Sequence, residues 1–233
     1  MIKTVPTFAT IALALALAST TMISERGAAQ ANRQSTPVVS QTPEGGMRMG
    51  SATARAALVE YVSYTCPHCA TYDAQAHEVL RSSYVARGTT SVEVRPLVRD
   101  IVDLASATLA RCGNRSRFFD RHHALMARQS TTIAAAESAQ AGWSAVPAPQ
   151  RLARVAADTG LIAAVAPLGV TQAEAATCLA DTAAIRRIIA IAEGSAAFGI
   201  EGTPSFLLNG TLQTGVHNWA ALRPRLDAAL TAR

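Results

Sequence analysis

The stretch SYTCPHCATY, Ser63 to Tyr72, holds two cysteines three positions apart, with a proline and a histidine between them and an apolar run before them. That spacing admits four chemistries. Haem attachment requires a histidine directly after the second cysteine, and residue 70 is alanine. A structural zinc site requires two further ligands at compatible spacing. His77 is near, but no second C-x-x-C and no H-x-x-x-H follows, so no metal is expected here. A purely structural disulfide across two residues would close a very small loop, which removes little entropy from the unfolded chain and tends towards strained geometry. The remaining reading is a dithiol made to be oxidised and reduced, which is what C-x-x-C beside a βαβ pattern suggests.

The flanking residues supply a way to activate one of the two thiols. AALVEYVSY, Ala56 to Tyr64, is apolar, β-branched and aromatic, and reads as a strand. Pro67 then sits where the first residue of a helix would, with its fixed φ and its dispensable N–H. Cys66 is thereby placed at a helix N-terminus, where unpaired backbone N–H groups and the helix dipole favour an anion and lower a thiol pKa. His68 offers a positive partner or a hydrogen-bond donor. Because only the reduced form carries the thiolate, each 1.4 kcal/mol or so of thiolate stabilisation makes the disulfide more oxidising by about 30 mV. Cys69, one turn into the helix, is expected to be less exposed and to act as the resolving thiol.

Elsewhere the pattern is strand–helix–strand, then a block of helices, then helix–hairpin–helix. The helix opening at Pro67 is expected to stop at Gly88. SVEVRPLVR, Ser91 to Arg99, reads as a strand with an edge or a kink at Pro96. Helices are expected in DLASATLARCG, in SRFFDRHHALMARQ with Phe118, His122, Leu125 and Met126 on one face, in APQRLARVAADTG, and in TQAEAATCLAD. The last of these opens with Thr171 and Glu174 at capping-box spacing. TAAIRRIIAIAEGSAAFG should turn Ile185, Ile188, Ile189 and Ala192 inward. Asn209-Gly210 marks a hairpin, and Pro224 should delay or kink the final helix, WAALRPRLDAAL. The two ends of this order assemble into one mixed sheet, with the middle as an inserted helical lobe.

The 233 residues, 49% hydrophobic and 16% charged, suit one large globular domain or two small ones. Lys3 followed by an apolar run from Phe8 to Ala18, then Ala29 and Ala31 at an A-x-A spacing, reads as a signal peptide cleaved near Ala31, with an uncleaved anchor as the competing reading. Residues 32–46, rich in Gln, Ser, Thr and Pro, read as a mobile leader. Either way the folded part is expected in an oxidising compartment. Removing residues 1–31 takes the formal net charge from +5 to +4, since Lys3, Arg26 and Glu25 are lost. The arginines are scattered and interleaved with acids, apart from Arg111, Arg115, Arg117 and Arg121. Without a continuous basic track and aromatic platforms, no nucleic-acid surface is expected, and the arginines read as solvated charge. In such a compartment Cys112 and Cys178 read as a structural disulfide, with two buried thiols or a regulatory pair as alternatives. His122 and His123 read as packing or capping residues, His77 as solvent-facing, Trp143 as loop packing and Trp219 as C-terminal core. Glu60, flanked by apolar residues, reads as buried rather than outward-facing.

With these residues in view, the chain resembles the DsbA-like branch of the thioredoxin superfamily, the periplasmic thiol–disulfide oxidoreductases. CPHC (Cys66 to Cys69) is that branch's usual dipeptide context, unlike the C-G-P-C of thioredoxin. In LVEYVSYTCPHC, Glu60 stands six residues before Cys66, matching the family's buried acid beneath the active site. GTPSFLLNG, Gly202 to Gly210, matches the segment whose proline is cis and faces the dithiol, and FFDRHHALM resembles a recurrent helix of the family's helical insertion. The match runs from about Met47 to the C-terminus. It implies an α/β, thioredoxin-like fold with an inserted helical domain: residues 47–102 as the first part of the thioredoxin-like domain, 103–182 as the insertion and 183–233 as the second part. It also implies that Cys66 is the exposed, attacked sulfur, that Cys69 resolves the mixed disulfide, and that Glu60 accepts or relays the proton. A cis Thr203–Pro204 bond would leave the Thr203 backbone free to pair with an extended substrate.

The function implied is a periplasmic oxidase, most simply a monomer without a cofactor. It would donate disulfides to cysteine-containing exported proteins and be reoxidised by a DsbB-type membrane partner. Thr203 is also found before the cis proline of isomerases and reductases, so that direction stays open. From a different class, the chain would be a secreted binding module whose cysteine pairs are only structural.

Overall fold

The computed structural model describes residues 1–2 and 37–231, so the signal-peptide expectation for residues 1–31 and the first part of the leader lie outside the described residues. The apolar, β-branched run at Ala56–Val62 forms strand β3, after the short strands β1 (Val39–Gln41) and β2 (Met47–Met49). Helix α1 spans Pro67–Val79 and continues through a π-helical turn, Leu80–Val85, to strand β4 (Thr90–Pro96). Between β4 and the next strand come α2 (Ile101–Arg111), α3 (Phe118–Ala127), α4 (Gln129–Ala139), α5 (Ala148–Asp158), α6 (Leu161–Val165), α7 (Gln172–Ala180) and α8 (Thr182–Glu193). The chain returns with β5 (Ser205–Leu208), β6 (Thr211–Leu212) and α9 (Trp219–Thr231).

These strands form one mixed sheet in the order β1-β2-β4-β3-β5-β6, in which only β3 and β4 run parallel. The order places β3 at the centre, and the active-site segment leaves the C-terminal end of that central strand. Register sets Glu60 opposite Val94 of β4 on one side and Phe206 of β5 on the other. One apolar core runs from the sheet (Leu58, Val92, Val94, Phe206) through α1 into the helical block (Leu109, Phe118, Leu125, Leu161, Leu179).

The structure differs from the sequence expectations at definite places. Residues 39–46 are not a mobile leader: they make the edge strand β1 and the turn into β2. Thr42 donates its hydroxyl to Glu93 at 2.8 Å, and Gly46 lies so close to the Glu93 side chain that a Cβ there would collide with it. Polar leader-like composition concealed this because the anchoring is a buried hydrogen bond rather than apolar contact. Strand β4 is central, not an edge. Pro96 is its last residue, where a missing N–H costs little, and Leu97 N–H resumes pairing with Val62 O at 2.8 Å.

In α8 only Ile188 is fully buried, and Ile185, Ile189 and Ala192 are half-covered. Helix α9 begins at Trp219 and runs through Pro224. The Asn218 side chain accepts from Ala221 N–H at 2.9 Å, and the exposed Pro224 lies early enough for that cap to hold the first turn. Asn209 and Gly210, with φ of 50° and 80°, turn β5 into β6 as the dipeptide implied. The Thr171–Glu174 capping box is present at α7.

Of the four clustered arginines, Arg121 is fully buried and donates to Ala110 O and Asn114 O, closing the C-terminal end of α2, rather than being solvated. Arg111 is half-buried over the Phe118 ring and donates to Gly45 O. His122 and Trp143 are buried, and Trp219 packs at 8% exposure against the core.

Cys112, just beyond α2, is bonded to Cys178 of α7, 66 positions away. Removing this bond as Cys112→Ser/Cys178→Ser frees a long loop in the unfolded chain. The expected loss is about 4 kcal/mol, read as a lower denaturant midpoint with a steeper slope, since the freed unfolded chain exposes more surface.

Candidate active site

Strand β3 ends at Val62, and Ser63, Tyr64 and Thr65 carry the chain to Cys66, the residue capping α1, with Pro67 as its first helical residue. No side chain caps this end, so the first-turn N–H groups face the Cys66 sulfur. The turn is fixed from three directions. Asp103 of α2 accepts from the Ser63 hydroxyl at 2.6 Å and from Tyr64 N–H at 2.8 Å. Asp100, the N-cap of α2, accepts from the Thr65 hydroxyl at 2.7 Å. Gln129, which opens α4, donates to Tyr64 O at 3.1 Å and to Cys66 O at 2.7 Å. Burial lifts the Asp103 carboxyl to about 6 despite those donors.

Cys66 and Cys69 are both unbonded. The expectation that Cys66 is exposed is corrected: it is 4% exposed, because the segment before β5 lies across it, and Cys69 is fully buried. Cys66 Sγ lies 3.2 Å from Thr203 O, and the Thr203–Pro204 bond is cis. His217 donates from Nδ1 to Pro204 O at 3.0 Å and holds that segment in place. Ser63 N–H points at Cys69 Sγ at 3.5 Å.

The two thiols differ sharply. A hydrogen bond from the Cys69 side chain, with others from the Thr203 side chain and from the backbone N–H groups of Cys69 and His68, lowers Cys66 to about 4 against the opposing effect of burial. Burial, together with that same donation to Cys66, pushes Cys69 far above the ordinary thiol range. His68 therefore acts through its main chain. Its side chain is exposed and makes no hydrogen bond among the described residues. Beneath the site, Glu60 is 4% exposed and accepts a hydrogen bond from the Tyr72 hydroxyl, one turn of α1 beyond Cys69. Burial raises its carboxyl to about 8. Its hydrogen-bond partner is Tyr72, not Cys69.

Residues 42–228 match the thioredoxin family. The chain belongs to that family. Among solved structures, it is similar to a protein-disulfide isomerase from Novosphingobium aromaticivorans, with 32% identity and a TM-score of 0.73, covering 79% of this chain and 97% of that one. It shares its fold with alpha-DsbA1 of Wolbachia pipientis, at 18% identity and a TM-score of 0.64, covering 81% of this chain and 92% of that one. Among curated relatives, it is 28% identical to a provisionally named protein-disulfide oxidoreductase of Rickettsia bellii, over 80% of this chain. A counterpart from Rickettsia conorii is 27% identical, over 83% of this chain. The chain spans 65% and 63% of those two relatives' lengths. The fold is thus thioredoxin-like, with the helical block of DsbA-type structures between β4 and β5.

Sequence reasoning brought together Cys66, Cys69, Pro67, Thr203, Pro204 and Glu60. It missed Asp100, Asp103, Gln129 and His217, which position the loop and the segment opposite. Asp100 alone carried a local signal, an Asp followed by Ile-Val-Asp at the start of an apolar helical pattern. The others act through contacts made only in the folded chain.

Proposed function

We propose that this protein is an exported protein thiol–disulfide oxidoreductase that donates the Cys66–Cys69 disulfide to cysteine pairs of other exported proteins. The observation that carries the reading is the asymmetric dithiol, one sulfur stabilised as an anion beside the Thr203 backbone and the other sealed beneath it. In the oxidised protein a substrate thiolate attacks Cys66 Sγ, and the bond to Cys69 breaks. Cys69 leaves as a thiolate and takes up a proton, with Glu60 as the buried carboxyl able to exchange it through the Tyr72 side. A second substrate thiolate attacks the substrate sulfur of the mixed disulfide, and Cys66 departs as a stable thiolate. The substrate is oxidised by two electrons, the dithiol is reduced by two, and a DsbB-type membrane oxidant would restore the disulfide. Export rests on the sequence pattern of residues 1–31 and on the redox chemistry.

An isomerase is the second reading, favoured by the name of the Novosphingobium relative and by Thr203. Equilibration with glutathione separates a donor from a reductase, and comparing oxidation with unscrambling separates a donor from an isomerase. A donor should lie nearer about −120 mV than about −270 mV and should oxidise a reduced substrate faster than it unscrambles a misoxidised one. A potential at the reducing end, or unscrambling as the faster activity, would reject the donor role. Cys69→Ser should trap mixed disulfides with exported proteins through Cys66, and their absence would reject the enzyme reading altogether.

A further inference from the structure

Three of the chain's five histidines converge on one buried carboxylate, Asp73, one turn of α1 beyond Cys69. Asp73 and His77 stand one turn apart on the same face of α1, an i,i+4 spacing that brings both side chains to one point. From α3, which packs across α1, His123 places Nδ1 at 2.6 Å from Asp73 Oδ2, and His122 places Nε2 at 3.5 Å from Asp73 Oδ1. His77 Nδ1 is 3.8 Å from Asp73 Oδ1, too far for a hydrogen bond. The His77 and His123 rings stack at 4.3 Å, nearly parallel. His77 is therefore not the solvent-facing residue its position suggested: its side chain is 10% exposed, against 42% for His123.

Of the three, only His123 hydrogen-bonds the carboxylate; His122 and His77 stand beside it at 3.5 and 3.8 Å. One donor atom from each of Asp73, His77 and His123 lies within 4.8 Å of the others. Ligands about 2.0–2.2 Å from a tetrahedral metal stand about 3.4 Å apart, and each nitrogen ligates in the plane of its ring, so the part-exposed His123 imidazole must turn out of its stack on His77 for both nitrogens to reach one metal. His122 supplies what such a site needs behind it. Its Nδ1 is tied to the Tyr64 hydroxyl at 2.8 Å, which fixes the ring that backs the Asp73 carboxylate.

We propose that Asp73, His77 and His123 form a binding site for a divalent transition metal of the zinc type, with the fourth position open to water from the His123 side. Two imidazoles and one carboxylate suit zinc, copper or nickel, whereas calcium and magnesium prefer all-oxygen sets. The site escapes a search for paired C-x-x-C or H-x-x-x-H motifs because its ligands come as D-x-x-x-H on one helix and a single histidine on another.

The test is calorimetric titration of zinc chloride into the full chain carrying Cys66→Ser/Cys69→Ser, which removes the thiols as competing ligands. The expected result is uptake of one zinc per chain and a raised unfolding temperature. On that background His77→Ala and His123→Ala should each weaken binding on the order of tenfold or more, while His68→Ala leaves it unchanged. Circular dichroism checks that each variant is folded, and calcium chloride should give no saturable heat. Absence of saturable zinc binding, zinc binding indifferent to both histidine variants, or equal affinity for calcium would overturn the assignment.

Discussion

Reduced protein titrated downward from neutral pH should keep a thiolate at Cys66 until about pH 4, read from thiolate ultraviolet absorbance or from the pH midpoint of alkylation. An unperturbed cysteine would lose its thiolate below about 8.5. The leading cause is donation from the Cys69 side chain, joined by the Thr203 side chain and by the Cys69 and His68 N–H groups at the head of α1, with burial working in the other direction. Each cause has its own variant. Cys69→Ser keeps a donor and should hold the midpoint low, while Cys69→Ala removes it and should raise the midpoint. His68→Ala should leave the midpoint nearly where it was, because the histidine contributes its main chain. The midpoint is the right quantity to measure, since a less basic thiolate is also a weaker nucleophile and absolute rates mix the two effects.

The same depression has a consequence for stability. A thiol whose folded pKa is lowered adds stability that is fully present above its unfolded value and lost as pH falls through about 4. The reduced protein should therefore gain on the oxidised one at neutral pH, and the gap should close on acidification. That preference for the reduced state makes the disulfide a stronger oxidant, by an amount on the order of tens of millivolts. A Cys66 midpoint near about 8.5 would refute both the activation and the donor role built on it.

What was legible in the sequence was whatever rests on local rules. Pro67 at a first helical position, Asn209-Gly210 at a turn, Thr171 with Glu174, and the β-branched run into Ser63 each specify their structure within a few residues. The pairing of the dithiol with Thr203–Pro204 spans 137 positions and followed only from family resemblance. What stayed hidden depends on burial of polar atoms. Thr42 belongs to the sheet because Glu93 accepts its hydroxyl, and Arg121 is core because the Ala110 carbonyl at the end of α2 and the Asn114 carbonyl just beyond it accept its N–H groups. Gln129 serves the active site because two loop carbonyls lie across from the start of α4. No periodicity marks such residues, since a buried polar side chain and a solvated one look alike until their partners are placed.

Replacing Glu60 by glutamine should make the protein more stable at neutral and alkaline pH while leaving it little changed near pH 4.5. Glu60 lies mid-strand in β3 between β4 and β5, and burial raises its carboxyl from 4.5 to about 8. The Tyr72 hydrogen bond pulls it back only in part, and nearby Asp73 pushes it further up. The folded protein therefore keeps a proton that the unfolded chain releases near 4.5. Stability is full below that value and is lost as pH rises towards 8, at about 1.4 kcal/mol per pH unit, or about 3 kcal/mol by pH 7. Glutamine retains an acceptor for Tyr72 and cannot ionise, so the decline that Glu60 contributes should be missing from Glu60→Gln and appear as the difference between the two profiles, the slopes due to Asp103 and Cys66 being common to both. Tyr72→Phe removes the group that favours the carboxylate and should carry the decline to higher pH. Denaturant unfolding at about pH 5, 7 and 8.5 measures all three proteins. Keeping so costly a carboxyl makes sense if its proton is used. On the proposed reaction, Glu60→Gln should slow protonation of the departing Cys69 and hence formation of the mixed disulfide, with the Cys66 midpoint unmoved. Parallel pH profiles for the native protein and Glu60→Gln would show that Glu60 is ionised in the fold and would remove it from the proton path.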